Sequence, residues 1–417
     1  MRVAVIGAGI TGLTTALSLH AVGIDCVVFE AVEHPAPLGV GINLLPHAMR
    51  ELEALDLLAD LQRFGVEIDE LIYTTVHGKP IWREPRGLAA GYDWPQIAIH
   101  RGELQMLLLE TVQKRLGRDS LRFGHALVDA EIGTTHVTAR FAGRTGTRLE
   151  PFRADLLAAA DGIHSTVRRL FYPGEGRPKW NGISLYRSTS PFGRLLGGRS
   201  MIWAGHARQK FVAYPIRYDP NSGQTLVNWI CDVQTGMDSL APPDEDWNRV
   251  GDRADLLSRY REWSWPGVNV PQIVATSGDI FVFPMIDRDP LPSWTRGRAT
   301  LLGDAAHPMY PIGSNGATQG VIDARAFAYY LSTVKPDEAL ARYEAERRPA
   351  TERIVRMNRM MGPDLVMELA AQRAPNEDDD LDAVLPLQER QAIADTYKRT
   401  AGFNPATLRE KTSYTPT

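Results

Sequence analysis

Cysteine is scarce, with two residues in 417, Cys26 and Cys231. That excludes a disulfide framework as the basis of stability. Both fall in apolar stretches that read as strands (25–30 and 226–233), so two reduced, buried thiols and a cytoplasmic chain are expected. A charge excess of one sign is also missing. Lys plus Arg number 46 against 50 Asp plus Glu, a net of −4, without the basic surplus of a dedicated nucleic-acid binder. Long apolar runs are lacking as well. The nearest approach, 2–24, is interrupted by Gly7, Gly9, Gly12 and Gly23 and by several polar residues, so it reads neither as a signal peptide nor as a membrane span. Glycine (36) and proline (28) stay well below the share that marks low complexity. What remains is a globular chain long enough for two or three domains and a large core.

The apolar pattern predicts a strand over 2–6, a turn over 7–12, a helix over 10–21 and a second strand over 25–30, a βαβ opening. One amphipathic helix is expected over 47–64, from Met49, Leu52, Leu55, Leu58 and Leu61, and another over 102–116. Strands follow over 127–141 and 155–160. From about 175 to 291 the texture changes to tryptophan, proline and alternating patterns. Strands over 210–216 and 226–233 belong to a half-buried sheet, and one helix over 246–263 interrupts it. A strand at 298–302 then leads to long helices over 314–332 and 336–361. The acidic run 376–382 reads as a solvated linker, and a last helix covers 387–399.

Three motifs carry chemistry. The first is Gly7-Ala8-Gly9-Ile10-Thr11-Gly12, between a strand and a helix, with Glu30 ending the next strand about 20 residues further on. Gly7 permits the turn, Gly9 lets a pyrophosphate approach the backbone, Gly12 lets helix and strand pack, and Glu30 can accept from a ribose diol. The second is Asp161-Gly162 after an apolar strand, which in isolation reads as a helix cap. The third is Gly303-Asp304-Ala305-Ala306-His307-Pro308, followed by Pro311, Gly313, Ser314, Asn315 and Gly316. Asp304 can accept from sugar or ribityl hydroxyls, and the glycine-rich segment opens a long helix whose N–H groups can face an anion. The histidines near these motifs (His47, His100, His164, His307) have no metal-ligand partner at a suitable spacing. No metal site and no catalytic base are assigned.

Together and in this order, the motifs resemble the class A FAD-dependent aromatic monooxygenases of the para-hydroxybenzoate hydroxylase type. The likeness is strongest to the phenazine and salicylate hydroxylase branch and its methylphenazine-carboxylate monooxygenase type. It extends from residue 1 to about 360 and includes 37–43, 100–105, 287–292 and 303–308. The expected fold is α/β. A discontinuous Rossmann-like FAD-binding domain (1–175 and 292–365) holds an inserted, mostly antiparallel β-sheet substrate domain (176–291), and a helical C-terminal segment and tail follow (366–417).

The resemblance implies that Gly7, Gly9 and Gly12 hold the FAD diphosphate and Glu30 the adenosine ribose. Arg101 would contact the diphosphate or ribityl region. Asp161 would serve both FAD and NAD(P)H. Gly303 and Asp304 would bind ribityl or diphosphate, and Gly41, Pro311, Gly313, Asn315 and Gly316 would border the isoalloxazine. It implies a flavin reduced by transient NADH or NADPH, O2 addition at C4a, and oxygen transfer from the hydroperoxide to an electron-rich aromatic or heteroaromatic ring, with decarboxylation as a variant outcome. One departure is that 313–317 reads Gly-Ser-Asn-Gly-Ala where many members read Gly-Gln-Gly-x-Asn. The substrate site is expected between the domains. Its candidate residues are Tyr186, Arg187, Trp203, Tyr214, Phe283 and Met285, against a plain core role for each. Arg187 can pair with a substrate carboxylate, although a surface ion pair is the stronger expectation. The rival functions are an FAD-dependent dehydrogenase or oxidase and a flavin-binding redox sensor. A halogenase is disfavoured because 263–268 begins like that family's tryptophan motif and then departs. Monomer and homodimer are both open.

Overall fold

The computed structural model describes residues 1–236 and 249–415. A six-stranded sheet runs in the order Thr295–Arg296, Ala299–Leu301, Leu156–Ala159, Arg2–Ile6, Asp25–Phe29, Leu121–Arg122. Arg2–Ile6 pairs in parallel with both neighbours, Val3 opposite Leu156 and Cys26. Its residues after Arg2 are all buried, as expected of a parallel strand covered on both faces. The helices Ile10–Ala21, Arg101–Leu116 and Gly316–Thr333 pack against this core. Cys26 and Cys231 are free and buried, and burial pushes the Cys26 thiol up to about 12.

The second large sheet has seven strands, in the order Phe281–Asp287, Lys179–Phe192, Thr225–Gln234, Gln209–Tyr218, Ser200–His206, Glu70–Thr74, Pro80–Pro85. All pairings are antiparallel except Ser200–His206 with Glu70–Thr74. Two strands from the N-terminal third thus extend this sheet beyond the inserted stretch. Leu71 and Tyr73 join the same apolar cluster as Met201 and Trp203, a long-range packing invisible to local pattern.

Four local expectations change. The single helix over 47–64 is two, Pro46–Glu53 and Leu58–Phe64, with Asp56 at φ 56 between them. Apolar spacing carries across the break because Leu52, Leu55, Leu57 and Leu61 all face one core. The span 127–141 is a hairpin of Ala126–Ile132 and Val137–Ala142. Of the helix expected over 246–263, Arg253–Arg259 is helical, capped by Asp252, while residues 246–248 lie outside the described residues. The acidic run is not wholly a free linker, since the carbonyls of Glu377 and Asp379 accept from Lys79 Nζ at 2.8 and 2.7 Å.

The C-terminal helices Leu365–Arg373, Leu387–Ala401 and Pro405–Glu410 fold back onto the body, where the Tyr92 hydroxyl donates to the Phe403 carbonyl. Among the described residues no helix is long and apolar enough to cross a membrane.

Candidate active site

At the carboxyl end of the first strand a cleft of about 380 Å³ is lined by Gly7, Gly9, Glu30, Arg101, Asp161 and neighbours. Gly7 has φ +97, and a Cβ there would meet the Ala160 carbonyl at 2.5 Å. A Cβ on Gly12 would overlap the Gly7 carbonyl oxygen, while one on Gly9 would meet nothing within 4 Å. Two glycines therefore close the turn and the third leaves a bare face for a ligand. No side chain caps the helix that starts here, so its first N–H groups remain available to phosphate. Glu30 accepts from the backbone N–H of Ala8 at 2.8 Å and of Val32 at 2.9 Å, which anchors it beside the turn.

Asp161 is not itself the N-cap of the helix Thr166–Phe171, which is Ser165, but its Oδ2 accepts from that helix's first N–H, Thr166, at 2.8 Å. Its Oδ1 is buried with no hydrogen-bond partner among the described residues, and burial raises its carboxyl above the usual range. A carboxylate left half-satisfied at a cleft wall is open to a ligand hydroxyl.

Arg101 also lines a second cavity, of about 260 Å³, between the two sheets. Arg101 thus borders both spaces. Asp304 lines the second space. It is deep within the fold yet open to the cavity, and its surroundings raise its carboxyl against the pull of His307 and Arg101. Gly41 is wedged against the seven-stranded sheet. Its N–H donates to Asn228 Oδ1 at 2.7 Å, and a Cβ would lie 2.6 Å from the Asn228 Cβ.

Pro311, Ser314 and Gly316 line the same cavity at the start of the helix Gly316–Thr333, which also has no side-chain cap. Gly313 and Asn315 turn away from it, toward Tyr397 of the C-terminal segment. Asn315 Nδ2 donates to the Gly313 carbonyl at 3.1 Å and the Tyr397 hydroxyl at 3.0 Å. Behind this loop Asp323 accepts from Gly303 N–H at 3.0 Å and Arg347 Nε at 2.8 Å, and His307 Nε2 lies 2.5 Å from it. Burial alone would raise the Asp323 carboxyl, but His307 and Arg347 hold it down to about 2.

The sheet forms the opposite wall. Alternation puts Lys210, Val212 and Tyr214 on one face, opposite Asp232, Ile230 and Asn228. Arg187 and Leu185 share that face. Of the sequence candidates, Arg187, Trp203, Tyr214 and Met285 line the cavity. Tyr186, next to Arg187 on the strand, faces the other way into a separate cluster. Phe283 packs with Ile183, Leu185 and Met285 at the margin.

Among the described residues Arg187 makes no ion pair, contrary to the expectation of a surface one. Arg187 donates to the Gly41 carbonyl at 3.1 Å and its Nε is buried without a partner among the described residues. Burial lowers its guanidinium below the ordinary value, offset by Tyr214 and reinforced by Arg101. Lys210, Asp232 and Asp364 also line the cavity. The first two carried a signal, as charges at inward positions of apolar strands. Asp364 carried none.

Residues 1–358 match the family model described as FAD binding domain. The phenazine 1,6-dicarboxylic acid hydroxylase of Lysobacter antibioticus is 44% identical over 363 residues, covering 86% of this chain and 89% of that protein. The 3-hydroxybenzoate 6-hydroxylase 1 of Aquipseudomonas alcaligenes is 30% identical over 365 residues, covering 85% and 86%. Among solved structures, Klebsiella pneumoniae HpxO complexed with FAD and uric acid is similar in fold, with TM-score 0.75 at 23% identity, covering 97% of this chain and 98% of that one.

Proposed function

This chain belongs to the FAD-binding-domain family as an FAD-dependent, NAD(P)H-consuming aromatic monooxygenase, and on that premise we propose that its substrate is a phenazine- or hydroxybenzoate-type carboxylate held by Arg187. One observation carries the proposal: Arg187 is enclosed at the cavity wall and, among the described residues, its Nε has no partner and it makes no ion pair with a carboxylate. A planar guanidinium in that state is matched by a carboxylate, which accepts two parallel hydrogen bonds. The names of the two relatives, a phenazine dicarboxylate hydroxylase and a hydroxybenzoate hydroxylase, agree with that class.

In this reading Gly7, Gly9 and Gly12 seat the FAD diphosphate, Glu30 the ribose, and Asp304 with Arg101 the ribityl region. When bound and reduced by NADH or NADPH, FAD supplies the chemistry that places one atom of O2 on the ring. The protein positions the ring and excludes water with Met201, Trp203, Val212, Ile230 and Met285. The uncapped N–H groups at Gly316 offer a positive field to negative charge in the cavity. We place the chain in the cytoplasm on the strength of its two free, buried thiols.

The test is rapid mixing of FAD-loaded protein with NADH or NADPH, then O2, with phenazine and hydroxybenzoate carboxylates and their carboxyl-free counterparts. Faster reduction with carboxylates and a product heavier by one oxygen support the proposal. A hydroxyl in place of the carboxylate would identify oxidative decarboxylation. Equal stimulation by carboxyl-free compounds would refute the role of Arg187.

A further inference from the structure

One polar cluster in the cavity plays no part in that reading. Lys210 Nζ lies 2.9 Å from Asp232 Oδ2 and 2.5 Å from Asp364 Oδ2. Strand register sets Lys210 and Asp232 opposite each other on the cavity face of the sheet. Asp364 arrives from elsewhere, at the end of the turn Gly362–Asp364 that follows the helix Pro336–Arg359. All three residues line both the cavity and an adjoining outer space of about 810 Å³. The cluster therefore sits between the substrate cavity and its approach.

Its charges do not balance, since one ammonium faces two carboxylates. Lys210 is satisfied twice over. Asp364 is not, because Oδ2 holds Lys210 while Oδ1 is buried without a hydrogen-bond partner among the described residues. The residue is 8% exposed. A buried carboxylate with an open acceptor is poorly satisfied until a donor arrives. Arg187 turns the other way along the sheet, to Gly41 and Tyr214. Lys210 and Tyr214 are four residues apart on one strand, roughly 13 Å. That separation suits a fused aromatic better than a single ring.

We propose that Asp364, braced by Lys210 and Asp232, is a second substrate subsite that takes a hydrogen-bond donor, a ring hydroxyl or ring N–H, on a fused aromatic whose carboxylate occupies the Arg187 end. The inference rests on the monooxygenase reading and adds the recognition element that reading lacks.

The experiment titrates FAD-loaded protein with three probes, followed by the flavin absorbance change. They are phenazine-1-carboxylate and its derivatives bearing a hydroxyl or a methoxy group on the distal ring. Wild type should bind the hydroxyl probe about tenfold or more tightly than the methoxy probe, as a charge-assisted hydrogen bond in a buried site requires. In Asp364→Asn, Lys210 keeps Asp232, so no charge is stranded. The amide oxygen faces Lys210 and the NH2 group takes the place of the open acceptor. The hydroxyl preference should vanish or invert, and Asp364→Glu should restore part of it. Equal wild-type binding of hydroxyl and methoxy probes overturns the proposal, whatever the variants do. So does a preference retained in Asp364→Asn. NADH oxidation without hydroxylated product would refute the monooxygenase reading instead, and leaves this binding contrast readable.

Discussion

Replacing Tyr397 by Phe should loosen the flavin-side loop from a distance. The Tyr397 hydroxyl accepts from Asn315 Nδ2 at 3.0 Å, and its single proton serves the Ile312 carbonyl at 3.1 Å or Asn358 Oδ1 at 3.0 Å. Asn315 retains the Gly313 carbonyl as an acceptor, so the net loss is close to two buried hydrogen bonds. At about 1 kcal/mol each this is about 2 kcal/mol. Spread over a chain of 417 residues, that lowers Tm by about 2 °C. The loop itself should feel more. Ser314 is held at φ 58, a left-handed conformation that a residue with a side chain rarely adopts without support. If the full 2 kcal/mol is spent on ordering 312–315, FAD affinity falls roughly 30-fold. The assay is FAD release followed by fluorescence, alongside a thermal melt of apoprotein and holoprotein. A Tm drop with FAD affinity within twofold of wild type would refute the reasoning, because the hydroxyl would then serve helix packing alone.

Gly12→Ala should give protein purified without yellow colour, since the added methyl overlaps the Gly7 carbonyl in the turn; a normal FAD content would contradict that geometry. Arg187→Met should raise KM for carboxylated substrates by about 10- to 100-fold with a smaller effect on kcat, because a charged hydrogen bond of about 1.5–3 kcal/mol is lost in ground and transition states alike; Arg187→Lys should recover only part. Asp323→Asn tests a pH dependence. The Asp323 carboxyl is depressed to about 2 from a usual value of 3.8, so ionised Asp323 adds roughly 2–3 kcal/mol of stability above pH 4, lost as pH falls toward 2. The stability gap between wild type and variant in urea titrations should narrow below about pH 4, and a gap constant with pH would refute the assignment.

The strand-turn-helix opening was legible because it is local. The helix over 10–21 forms as expected, and Gly7 and Gly12 occupy positions where backbone geometry leaves no room for a side chain. The long C-terminal helices were legible from their period. The break at Asp56 was not, because two helices facing one core keep a common apolar stripe. Tyr186 and Arg187 could not both face the substrate, and a period of two implies as much, since neighbours on a strand point to opposite sides. The solvent-facing expectation for Arg187 failed because a lone arginine in an alternating strand does not reveal which of its two faces is covered.

By itself, then, the sequence determined the dinucleotide turn and two of the strands that build the substrate wall, Gln209–Tyr218 and Thr225–Gln234, while the cofactor class followed from the family resemblance of its three motifs. The turn and the two strands depend on residues near one another in the chain, where backbone sterics and periodicity act directly. Only the tertiary structure decided which wall residues meet the cavity, that Tyr397 braces the loop at Gly313, and that Asp364 joins Lys210 and Asp232. Those contacts join segments far apart in the chain. Their energies arise from desolvation and pairing that exist only once the two sheets and the C-terminal helices have closed on each other.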